Sequence, residues 1–265
     1  MLGPTNSDLF PCFFIPHGSP LILVRDEPIT DVLKKLPQSF EKPDAIVIWT
    51  AHWESEIQQI SCIKQYETIH DFHNLPEPLF EMTYPCPGHP ELAKEVQSLL
   101  TKNDIKSELD ETRGIDHGAW TVLKLMFPEA NIPVVQLSVN RNLASEDVYN
   151  IGKALAPLRE KKILILGSGA TCHNNRLMKD DPDAPIEEWA VEFDDWLEKE
   201  MNKWNMEALF DYKNNAPSAD RAVPHAEHYF PLLYSAGAGD KTKKPTPLHR
   251  SLMFGNLTYF LWRFD

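Results

Sequence analysis

No stretch of the 265 residues approaches the ~18 consecutive apolar residues that a membrane helix needs, so no membrane-spanning role is expected. Basic charge is scarce. Lys and Arg total 26 against 39 Asp and Glu, a net charge of -13, and no Lys/Arg cluster offers a face to nucleic acid. Cysteine is scarce too. Cys12, Cys62, Cys86 and Cys172 are far apart and form no C-x-x-C pair. They read as reduced thiols of a cytoplasmic protein rather than a disulfide framework or a structural zinc site. The N-terminal MLGPTNSDLF lacks the basic-then-apolar order of a secretory signal. HExxH, G-x-x-x-x-G-K-[ST], G-x-G-x-x-G and G-x-S-x-G are all missing, which argues against a helix-borne metalloprotease, two nucleotide sites and a serine hydrolase. Without repeats, low-complexity segments or a clear linker, one domain over residues 1–265 is the simplest reading.

What is present is a soluble-type composition, 42% apolar with a mean hydropathy of -0.37. Four short runs, Phe10–Ile15, Ala45–Thr50, Pro133–Val139 and Ile163–Leu166, are almost continuously apolar and rich in β-branched residues. That pattern predicts strands covered on both faces, hence an α/β domain around a parallel or mixed sheet. Helices are predicted at Glu91–Leu100 after Pro90, from a capping Ser145 to about Leu158, and over 186–204. In the last, Ile186, Trp189, Ala190, Phe193, Trp196 and Leu197 form one apolar stripe, so its tryptophans read as core. Its acidic residues, in EEWAVEFDDWLEKE, read as a solvated face. The closing LMFGNLTYFLWRF reads as one or two strands completing the sheet. The 22 prolines predict long ordered loops, with Asp71–Pro90 shaping a pocket mouth.

The ten histidines are placed unevenly. His17 follows the first strand in FFIPHGSP, His52 follows the second in AHWE, and His173 follows the fourth in GSGATCHNN. Ligands of open α/β sheets bind outside the carboxyl ends of strands, so these three are expected at one crevice. His117 sits in RGIDHGAW, a glycine-flanked turn opening a helix, and His225 and His228 in VPHAEHYFPLL. One histidine near a strand end is more often structural than functional, and His70, His73, His89 and His249 keep that structural reading. Five at one sheet edge (His17, His52, His117, His173, His228) suit a first-row metal held by two or three imidazoles, with the rest as acid/base groups. His52-Trp53-Glu54 also has the H-x-E form of some two-His-one-carboxylate iron sites, a weak match.

HGSP (17–20), AHWES (51–55), IHDF (69–72), YPCPGHPELA (84–93), DHGAWTVLK (116–124), PVVQLSV (133–139), GSGATCHN (167–174) and EHYFPLLY (227–234) occur in this order. Together they resemble the DOPA-dioxygenase branch of the class III extradiol ring-cleaving dioxygenases, relatives of the protocatechuate dioxygenase β-subunit. The resemblance runs from about residue 12 to the C-terminus. It implies an α/β sandwich with a central mixed sheet flanked by helices, and a metal at one sheet edge. It implies His17, His52 and His228 as metal ligands, with His117 and His173 as the acid/base and substrate-binding pair; His173 also falls in the metal sphere in some assignments. In PHAEHY, Glu227 is the runner-up for the third ligand position, and His225 reads as a rim residue. The implied cofactor is Fe(II), with Zn(II) able to occupy the site in crystals. The implied substrates are a small catechol, DOPA-like, and O2, giving a muconic semialdehyde-type product. Two rival readings use the same residues: a zinc hydrolase, and a non-enzymatic Memo-like binding protein. Arg113, Arg221, Lys124 and Arg176 are candidates to pair a substrate carboxylate. Oligomeric state stays open, with a monomer among the options.

Overall fold

The structure, a computed structural model, describes residues 9–265. Most of the segment read for a secretory signal therefore lies outside the described residues. Eight strands form one mixed sheet in the spatial order β4-β3-β5-β2-β6-β1-β8-β7. They are β1 (Cys12–Pro16), β2 (Ala45–Glu54), β3 (Gln58–Ser61), β4 (Ser107–Asp110), β5 (Val134–Val139), β6 (Ile163–Gly169), β7 (Pro245–Met253) and β8 (Leu257–Phe264). The four apolar runs of the sequence supply the parallel centre, β5-β2-β6-β1. β8 adds antiparallel to β1, and β7 to β8, so the C-terminal run is a hairpin's second strand and part of its first.

The helices are α1 (Pro28–Lys35), α2 (Pro78–Glu81), α3 (Pro90–Lys102), α4 (His117–Met126), α5 (Ser145–Leu155), α6 (Glu188–Asn202), the short α7 (Met206–Phe210), α8 (Tyr212–Asn215) and α9 (Ala219–Ala222), and α10 (Phe230–Ala238). They cover both sheet faces, which is why the central strands carry no polar face. Along β2, Val47 and Trp49 enter the core under α3, α5, α6 and α10, while Ile46 and Ile48 enter the core under α1 and α4. Within α6, Trp189, Ala190, Phe193 and Leu197 are buried as the stripe predicts, and Ile186 falls just before the helix.

Three boundaries differ from expectation for local reasons. α5 begins at Ser145 with Ala144 in the cap position, and gives way at Ala156 to a 3-10 turn. Pro157 lacks the N–H needed to continue the α ladder. β6 continues three residues past the predicted end at Leu166, through Gly167-Ser168-Gly169. β2 runs four residues past Thr50. Its register with β5 jumps from Trp49↔Leu137 to Glu54↔Val139, so Thr50–Trp53 bulge out of the ladder. Bulges re-aim side chains beside functional sites, and His52 sits on this one.

α5 and α10 pack backbone to backbone through two glycines. A Cβ on Gly152 would lie 1.9 Å from the Tyr234 carbonyl oxygen, and one on Gly237 2.0 Å from that of Tyr149. Neither main chain can yield cheaply. Gly152→Ala is expected to cost about 1–3 kcal/mol, a fall of roughly 2–10 °C in Tm on thermal melting. An unchanged Tm would contradict this close approach.

Candidate active site

All five sheet-edge histidines line one cavity of about 690 Å³. His17 is the first residue beyond β1, His52 rides the β2 bulge, and His117 is the first residue of α4. His173 lies in the loop after β6, with its N–H donated to the Ala222 carbonyl at 2.9 Å. His228 precedes α10, and its own carbonyl accepts the Ala170 N–H at 2.9 Å. That contact brings the His228 carbonyl so near Gly169 that a Cβ there would sit 2.2 Å from its oxygen. The glycine at the end of β6 thus lets the His228 segment dock on the sheet edge.

His17, His52 and His228 form a compact trio with ring centroids 4.9, 5.2 and 5.1 Å apart. Their hydrogen bonds fix which nitrogen faces inward. The Ser168 hydroxyl donates to the Gly118 carbonyl, so it is left to accept His17 Nδ1–H, at 3.0 Å. His17 Nε2 therefore carries a lone pair. His52 Nδ1 lies 3.6 Å from Asp71 Oδ2, and its Nε2 is 3.1 Å from His17 Nε2. His228 Nδ1 meets Glu227 Oε1 at 3.2 Å, while its Nε2 is buried with no hydrogen-bond partner. Three inward nitrogens lie within 4.8 Å of one another. Two imidazole nitrogens on one first-row metal at about 2.0–2.1 Å sit roughly 3 Å apart, close to the His17–His52 spacing. The outward nitrogens have the oxygen partners typical of ligating histidines. The residues present fit a metal ion.

Burial, followed by neighbouring imidazoles, lowers the pKa of His17 and His228 well below the usual histidine value. Burial and His117 lower His52 to about 3, against an opposing Asp71, and lower His173 to about 4. All four rings are thus neutral near pH 7, the form that binds metal.

His117 lies 3.9 Å from His52, ring centroid to centroid, and with His52 and Asp71 forms a second group whose ligand atoms lie within 4.8 Å of one another. Asp71 Oδ1 accepts from both its backbone N–H, at 3.0 Å, and its Nδ1, at 2.9 Å. Burial raises the Asp71 pKa, but those bonds and nearby His52 outweigh it and bring it to about 2. Asp71 was not singled out from sequence; its only signal was its place in the IHDF block. His173 stacks flat on His228, centroids 3.6 Å apart and 12° between planes. A buried clamp holds the two halves of the site together. Asp116, the residue before α4, accepts from Thr50 Oγ1 at 2.7 Å, Gln136 Nε2 at 2.9 Å and Arg113 at 3.2 Å. The same Arg113 nitrogen donates to the His52 carbonyl at 3.1 Å.

The other candidates are spread more widely, with Glu54 and Glu227 still on the cavity wall. His225 borders an adjoining groove of about 540 Å³ with Arg176, and Glu227 separates that groove from the main cavity. Glu54 of the H-x-E triplet pairs with Arg141 at 3.0 Å. His70 bonds the Met82 carbonyl, His89 caps α3 and His249 bonds Ser251, all structural roles. His73, also read as structural, instead lines the cavity with Phe72 and Leu75 of the Asp71–Pro90 loop. None of the four expected carboxylate partners lines the cavity. Arg113 serves the clamp, Lys124 donates to the Thr83 carbonyl, Arg221 lies over Trp189 and Arg176 borders the adjoining groove.

Residues 11–262 match the family described as the catalytic LigB subunit of aromatic ring-opening dioxygenase. A protein of Mirabilis jalapa named 4,5-DOPA dioxygenase extradiol is 38% identical over 93% of this chain and 95% of its own length. An Escherichia coli K12 protein of the same name is 34% identical over 96% of this chain and 94% of its own. The crystal structure of an uncharacterized Escherichia coli K12 protein superposes with a TM-score of 0.83 at 31% identity, covering 97% of this chain and 100% of that one. With the family match spanning nearly every described residue, the chain belongs to the LigB family of extradiol ring-opening dioxygenases, in its DOPA-dioxygenase branch.

Proposed function

We propose that this chain opens a DOPA-like catechol at a carbon–carbon bond beside the two hydroxyls, placing both atoms of O2 in a muconic semialdehyde-type product. The single observation that carries this reading is the trio of inward imidazole nitrogens beside a separate, carboxylate-oriented histidine. His17, His52 and His228 would hold the metal, Fe(II), on one side of the cavity. Bound there, Fe(II) supplies open coordination positions for catechol and O2 and the electron transfer between them. Zn(II) would suit the same nitrogens but is redox-inert.

The remaining work falls to side chains. His117 has Nδ1 committed to Asp71, so Nε2 is the nitrogen that exchanges protons. It accepts a proton from a catechol hydroxyl and returns one as the ring opens. Asp71, a carboxylate near neutral pH, fixes the ring's tautomer and stabilises the imidazolium. His173, neutral and stacked on His228, hydrogen-bonds a substrate oxygen. Phe72, Leu75, Phe254 and Leu257 give the aromatic ring an apolar wall. Among the described residues no helix is long and apolar enough to cross a membrane; the four cysteines are buried and unpaired, as reduced thiols of a cytoplasmic enzyme would be.

The test is oxygen uptake by anaerobically Fe(II)-loaded protein given a panel of catechols including DOPA. Iron-dependent uptake with a new yellow chromophore is the expected result. A zinc hydrolase or a binding module would consume no oxygen.

A further inference from the structure

Two cations line the histidine cavity, Arg25 and Lys179. Lys179 already faces Glu187 at 3.7 Å and neighbours Asp180, which lines the same cavity. Arg25 has no carboxylate within ion-pair distance among the described residues. Buried Glu27 and Tyr259 both feel its charge, but neither makes an ion pair or hydrogen bond with it.

The Arg25 backbone is not a loose tether. The Leu21 carbonyl accepts from both Val24 N–H, at 3.0 Å, and Arg25 N–H, at 2.9 Å. The Ser19 carbonyl accepts from Ile22 N–H at 3.0 Å, and Ser19 Oγ accepts from Leu21 N–H at 3.4 Å. This single 3-10 turn, Pro20–Leu23, leaves the sheet directly after His17-Gly18. One short segment therefore carries both an inner-wall imidazole and a rim guanidinium. Leu21 and Leu257 add apolar surface to the same cavity.

A planar guanidinium with free donors is matched in geometry to a carboxylate, which it binds through two parallel hydrogen bonds. We propose that Arg25 is a specificity-determining residue that reads an anionic substituent, of the carboxylate class, on the side chain of the catechol. This rests on the ring-opening reading of the site. Arg25 touches substrate away from the reacting ring, so it governs which catechol is taken and leaves the ring chemistry alone.

The experiment compares 3,4-dihydroxyphenylpropionate with uncharged 4-methylcatechol on wild type, Arg25→Met and Arg25→Lys. Arg25→Met is expected to lower kcat/KM for the acid by roughly 10- to 30-fold while leaving 4-methylcatechol within about threefold. Arg25→Lys restores part of the loss by keeping the charge. The side chain is exposed, so the variants are expected to fold, and matched melting curves verify it. An unchanged acid-to-neutral ratio in Arg25→Met, or equal losses on both catechols, overturns the proposal. If Fe(II)-loaded wild type turns over neither catechol, nor any other of the panel including DOPA, the ring-opening reading fails on its own. Calorimetric binding of the two probes then decides Arg25: a selective loss of acid affinity in Arg25→Met supports it, and an unchanged affinity ratio overturns it.

Discussion

His117→Ala is expected to lower turnover by about 10²- to 10⁴-fold while metal content stays at the wild-type level. The two halves of that outcome have separate causes. On the proposed assignment His117 is outside the imidazole trio and uses its Nε2 for the substrate proton, so its loss leaves the three proposed ligands in place. Its loss removes the positioned proton acceptor, and the catechol hydroxyl must then lose its proton to water. The substitution is also mild for the fold. His117 opens α4, where the helix start is held by the Asp116 carbonyl accepting from Ala119 and Trp120, contacts that alanine preserves. Metal analysis and single-turnover rates on the same preparation check both halves. A variant with wild-type turnover would remove His117 from the chemistry, and one that loses metal would place it in the ligand set.

His17→Ala has the converse signature, loss of metal and with it all turnover. Disturbing a hydrogen bond behind a ligating histidine already weakens metal binding by about 10- to 100-fold, so deleting a ligand should weaken it by more. Of the candidate ligand groups among the described residues, only the trio with His52 and His228 includes His17. The serine behind His17 donates its only proton to the Gly118 carbonyl, and the bulge holding His52 and the docked segment holding His228 aim one nitrogen each. Equilibrium dialysis of metal against wild type and variant is the measurement. Normal metal content with normal activity in His17→Ala would contradict the assignment of the trio.

How much of this was legible in the sequence depended on burial. The four strands at the sheet centre are buried on both faces, so their composition alone revealed them. β3 (QQIS) and β4 (SELD) are short and polar, and the edge strand β7 holds Pro245 and Pro247, so none carried a recognisable strand period. The histidines could be placed because strand ends are visible in a sequence and ligands gather there. Asp71 could not. It is a lone carboxylate in a loop, and only tertiary packing brings it under His117, 46 residues away. Glu227 shows the same limit from the other side. From sequence it competed with His228 as a ligand. In the structure its Oε1 meets His228 Nδ1, and it groups with His173 and His228 within ligand distance, an arrangement no spacing rule reveals. The carboxylate partners failed for a similar reason. Arg113 and Arg221 are near the right segments but are consumed by a carbonyl, an aspartate and a tryptophan face, whereas Arg25 gave no sequence signal beyond its charge.

On the proposed reading the trio and His117 together serve a ring-opening dioxygenation. Its most direct test is the oxygen-uptake experiment repeated under isotopically labelled dioxygen, with mass spectrometry of the ring-opened product from a catechol that is consumed. Both labelled oxygen atoms retained in a product of one catechol and one O2 is the predicted result, after allowing for exchange of the aldehyde oxygen with water. Oxygen consumed without label in the product, or a ring-opened product formed in the absence of oxygen, would contradict it.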